Sequence, residues 1–142
     1  MAQRKKVIRA EPEFEGVVFG IITQLKDYQL CWHLNKTLGL EMKMMDDLEI
    51  SNKKKNKTSV SSWFKYEDDL DKCRMYLISN KHSGDYYISE MKQADFIFLV
   101  QGELSEKKSE EISEAIKQIQ AVQMMIQINP AKIKSAENLL IE

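Results

Sequence analysis

Residues 17–45, VVFGIITQLKDYQLCWHLNKTLGLEMKMM, decide the fold. Val17–Ile22 is a near-continuous apolar run of strand length, which predicts a central strand. Leu25–Leu38 then changes period. At about 100° per residue, Leu25, Tyr28, Leu30, Cys31, Trp32, Leu34 and Leu38 spread over roughly 220° of a helix. An ordinary surface helix carries an apolar stripe only a little over about 100° wide. This helix is therefore expected to be covered on two sides, by a sheet and by a second element or subunit. Thr23 is the expected N-cap and Gly39 the expected C-terminal stop. Asp27 falls in the first turn, where a carboxylate suits the helix dipole. Asn35 lies inside the apolar arc, so its amide needs partners. Glu41–Met45 alternates Glu41 and Lys43 against Met42 and Met44, as in a half-buried strand.

Outward from this core the chain reads as a meander closed by a helix. Residues 1–15 form a polar arm, and 16–142 form one domain. Ser51–Ser59 is a polar loop holding KKKNK. Val60–Tyr66 and Cys73–Ser79 flank EDDLDK as a hairpin. Asn80–Asp85, with Gly84, is a further turn. Asp95–Val100 contains FIFLV, a second strand buried on both faces, ended by Gly102. Ser105 caps a long helix running to about Gln127, with Ile112, Ala115, Ile116, Ile119, Val122 and Ile126 in one stripe. Asn129-Pro130 stops it. The expected class is α+β: a mixed, mostly antiparallel sheet of about five strands carrying two main helices on one face, in the order β-α-β-β-β-β-α.

Composition bounds the function. The chain has 142 residues, 43% hydrophobic and 30% charged, with a formal net charge of -1. That size supports one core, and that balance gives no global pull toward nucleic acid or an anionic membrane. The longest apolar runs, VVFGII and FIFLV, are too short to span a bilayer as helices. MAQRKKVIRA is followed by EPEFEG and not by an apolar segment, which argues against a secretory signal and points to the cytoplasm.

Three chemical constellations compete with an interaction role. Cys31 and His33 diverge by about 200° on a helix, and Cys73 and His82 lie at opposite ends of a strand, so no metal site is expected. Both cysteines sit among apolar residues and read as small buried hydrophobes. Asp46, Asp47 and Glu90, with Lys26 or Lys36, could form an acid–base site, although charge alone implies no shifted pKa. Lys53, Lys54, Lys55 and Lys57, ahead of Trp63, Phe64 and Tyr66, resemble a weak RNA-binding arrangement. Yet Trp63 and Phe64 must point to opposite sides of a strand, and a short charge run is more often a solvated loop. There is no Gly-x-Ser-x-Gly elbow, phosphate loop or dinucleotide fingerprint, so no cofactor is expected. The favoured expectation is a non-enzymatic interaction or accessory protein. Its candidate binding residues are Leu25, Tyr28, Trp32, Asn35, Lys36, Asp46, Asp47 and Glu90, and its partner a protein or a second copy.

YISEMKQADF, Tyr87–Phe96, resembles the motif that names the IPExxxVDY family of small bacterial proteins. Ile88, Glu90 and Asp95 match; Ser89 stands in place of proline, Ala94 of valine and Phe96 of tyrosine. FGIITQLKDYQLCWHLNKTLGL with DDLEI is similar to that family's amino-terminal half, LISNK to its middle and KIKSAENLLIE to its end. The resemblance covers most of the chain and implies no particular reaction. Without the tyrosine hydroxyl, Phe96 has no donor to offer. Glu90 and Asp95 are expected to accept backbone N–H groups near turns.

Overall fold

Phe96, Phe98 and Val100 enter one buried cluster, while Ile97 and Leu99 enter another. A strand that alternates between two cores must lie inside a sheet with a layer on each face. The computed structural model describes residues 15–45, 48–52, 57–68, 73–82, 85–130 and 133. Its elements are β1 (Gly16–Thr23), α1 (Asp27–Leu38), β2 (Lys43–Met44), β3 (Leu48–Asn52), β4 (Lys57–Ser61), β5 (Trp63–Asp68), β6 (Cys73–Ser79), β7 (Lys81–His82), β8 (Asp85–Tyr86), a 3-10 turn (Ser89–Met91), β9 (Phe96–Gln101), α2 (Glu106–Lys117) and β10 (Val122–Ile128). Six strands form one sheet in the order β10-β1-β9-β6-β5-β2; β3–β4 and β7–β8 are separate two-stranded ladders. The α+β class is as expected. The sheet has six strands where about five were expected, and every pairing in it is antiparallel.

Both helices cover the same face. Leu30, Cys31 and Leu34 of α1 and Ile112 and Ile116 of α2 pack with Phe19, Ile21, Phe64, Met75, Leu77 and Phe98. Phe19 and Phe98, paired across β1 and β9, stack with centroids 6.3 Å apart. The other face is closed by residues 87–94: Tyr87, Ile88, Met91 and Ala94 pack on Val18, Tyr76, Ile78, Ile97 and Leu99. Gly20 permits the close approach. A Cβ there would run into the Met91 side chain and lie 3.0 Å from the Ala94 Cβ.

Asn80 holds this back layer in place. Its Nδ2 donates to Met91 O (2.8 Å) and Ala94 O (3.0 Å), and its Oδ1 accepts from Ile88 N (2.8 Å). Its backbone adds bonds to Asp95 O and from Tyr87 N. Asp95 ties the layer to β1, its Oδ2 accepting from Thr23 N at 3.0 Å while Oδ1 pairs with Lys81 Nζ at 3.1 Å.

Several expectations are corrected. The second helix ends at Lys117, and residues 122–128 form β10 along β1. Val122 and Ile126, one helical stripe in the sequence reading, pack instead toward opposite faces of the sheet. Thr23 stays in β1, its Oγ1 donating to Ala121 O at 2.7 Å, and the helix cap position is Lys26. The polar loop expected over 51–59 contributes to the β3–β4 ladder, with Val60 in β4. The strand expected over 41–45 is only two residues long. Met42 is buried, but Met44 is 62% exposed because β2 is the outermost strand. Gly39 does end α1, in the left-handed region at φ 67°.

Candidate functional site

The expected two-sided cover of α1 is incomplete among the described residues. Leu30, Cys31 and Leu34 face the core, with Leu25 and Leu38 partly buried against it. Tyr28 and Trp32, one turn apart, stay 56% and 57% exposed. Trp32 is flanked by its own neighbours: the His33 ring meets it edge-on at 5.0 Å, and Lys36 Nζ lies 5.0 Å from its centroid. A cation over an indole is favourable.

Asn35 orients this flank. Its Oδ1 accepts from Met42 N at 2.9 Å, and its Nδ2 donates to Met42 O at 3.4 Å. The amide inside the apolar arc thus finds its partners in the segment leading to β2. It is occupied internally, and its role is to tie helix to strand. On a helix, Tyr28 and Trp32 lie on the Asn35 side of the buried stripe, so they face the β2 edge. Met44 pairs with Phe64, whose side chain lies in the helix-side core. Met44 therefore projects on the helix side of the sheet. Met45 follows, 38% exposed, its N–H donating to Trp63 O. Of the five large apolar side chains exposed among the described residues, Tyr28, Trp32, Met44 and Met45 belong to α1 and the β2 segment; the fifth is Met124 on β10. The methionines were not expected at this surface. Their exposure follows from β2 being outermost, which a local alternation cannot reveal.

The remaining candidates separate. Leu25 is a half-buried core residue. Glu90 sits in the 3-10 turn on the back of the sheet, where Ser89 Oγ donates to it at 3.2 Å. Lys26 and Lys36 belong to α1 on the opposite face. Glu90 and these lysines therefore do not converge, and the alternative acid–base constellation is not assembled from them. Asp46 and Asp47 lie outside the described residues, as do Lys53, Lys54 and Lys55. Trp63 and Phe64, the stacking rings of the RNA reading, are buried in opposite cores. Among the described residues no three His, Cys, Asp or Glu side chains come together as metal ligands. Burial pushes the Cys31 thiol up to about 11, with Asn35 pulling the other way. It stays protonated near neutral pH and is a poor nucleophile. Compared with protein-family models and with curated proteins, the chain finds no match in either. No described helix is long and apolar enough to cross a membrane.

Proposed function

We propose that this protein acts by binding another protein and not by catalysis, through the α1–β2 flank centred on Tyr28 and Trp32. The observation that carries this reading is the pair of aromatic rings, more than half exposed, on a helix whose other side is sealed in the core. Half of a large aromatic side chain leaves on the order of 100 Å² in water, worth about 2.5 kcal/mol per ring at ~25 cal/mol per Å² if covered. Aromatic anchors beside a basic rim residue, here Lys36, suit the centre of an interface. A place in the IPExxxVDY family, and with it a cytoplasmic location, belongs to the same proposal, supported by Ile88, Glu90 and Asp95.

A photo-crosslinking residue at position 28, introduced in cells of the source organism, tests it. Position 117, exposed at the end of α2, serves as the control. Adducts should form from position 28 and disappear with Trp32→Ala, while the thermal midpoint of that variant moves little. Equal crosslinking from both positions, or a Trp32→Ala chain that melts as readily as it loses its adducts, would sink the reading.

A further inference from the structure

We infer that β10 is a self-association edge, along which two copies pair β10 antiparallel to β10 and join two six-stranded sheets into one. Residues 118–131, QIQAVQMMIQINPA, contain no charged residue in a chain that is 30% charged. The structure places the middle of this run, Val122–Ile128, at the outermost position of the sheet, with no strand on its far side among the described residues. Exposed edges are normally blunted by short length, Lys or Pro, or a bulge. The opposite edge follows this rule: β2 has two residues, one of them Lys43. β10 has seven, without charge or proline. Its ladder with β1 slips once, beside Gln123, and leaves Met124–Ile128 regular.

The burial pattern agrees. Val18, Phe19 and Ile21 of the adjacent β1 are fully buried, whereas no residue of β10 is. Met125 packs partly into the helix-side core and Ile126 and Ile128 partly into the back core, while Met124 is 56% exposed. A further strand would complete both layers.

The occupant that fits is the same strand. Antiparallel self-pairing centred on Ile126 sets Met124 opposite Ile128 on the back face and Met125 opposite Gln127 on the helix face. No pair brings like charges together, and a neutral edge offers a charged foreign strand no side-chain ion pair. The contact is isologous, closing after two copies. Its two-fold axis runs through the sheet, so both helix layers emerge on one face. α1 lies over the β6–β2 half, far from β10. The two Tyr28–Trp32 surfaces then stand roughly 35–55 Å apart at ~4.8 Å per strand. Such a dimer presents two binding surfaces at once, and linked sites of this kind raise avidity without new contacts.

Sedimentation of the full chain from micromolar to submillimolar concentration tests the pairing. The wild type should pass from monomer to dimer. Met124→Lys, which changes an exposed residue, should weaken the dimer at least about tenfold with little change in the melt. Trp32→Ala should leave the dimer intact, which separates this inference from the α1 reading. Hydrogen exchange on the wild type gives a second measurement: amides of Met124–Ile128 should gain protection as concentration rises. A chain that stays monomeric, a dimer lost with Trp32→Ala, or one formed without added protection in β10 overturns the inference.

Discussion

At the scale of single residues, Asn80 carries the back of the molecule. It is fully buried, and its amide satisfies Ile88 N–H and the carbonyls of Met91 and Ala94. Asn80→Ala takes the partner from Ile88 N–H and Ala94 O, while Met91 O keeps the bond from Ala94 N at 3.0 Å. Each such group costs on the order of 1–3 kcal/mol, so we expect a loss of about 3 kcal/mol with partial relaxation. Denaturant unfolding measures it, and a loss below about 1 kcal/mol would show that the 87–95 segment does not depend on this amide. An isolated Asn between two strands reads as a turn residue, so nothing local marks Asn80 as a hub. Asp95 was more legible. A carboxylate at a strand start was expected to accept a backbone N–H, and it does, but from Thr23, 72 residues earlier. The kind of bond was readable, whereas its partner depended on the strand order.

Among the elements, α1 was readable almost throughout, because its period is sustained and its end is marked by glycine. Gly39 is left-handed, and a Cβ added there meets nothing within 4 Å. Gly39→Ala therefore isolates the backbone penalty, and we expect about 1–2 kcal/mol of destabilisation. A neutral denaturant midpoint would mean that the helix end shifts to another cap. β10 was not readable for a related reason. VQMMIQI has apolar residues compatible with either period, and a run that short does not distinguish strand from helix. The choice is made by β1, whose second edge needs a ladder and takes residues 122–128. The β3–β4 ladder was missed because lysine-rich sequence near position 55 reads as solvated loop whether or not its flanks pair.

For the whole molecule, the two tryptophans report on opposite faces of the sheet. Trp63 is buried in the back core, its ring stacked on Tyr76 at 6.0 Å, while Trp32 stands in solvent on α1. Acrylamide should therefore quench one of the two freely in the native monomer, and Trp32→Phe should remove that component. The two proposed surfaces sit toward opposite edges of one sheet, β10 at one and β2 with the α1 flank at the other. Pairing through β10 leaves Trp32 in water, so quenching should stay constant as concentration carries the protein into its dimer. A protein partner on α1 should instead shield Trp32, lowering the quenchable fraction without disturbing Trp63. If self-association alone protected Trp32, the α1 surfaces would be meeting one another. The uncharged edge would then be an ordinary outer strand, and the interaction surface of this protein would be its own dimer interface.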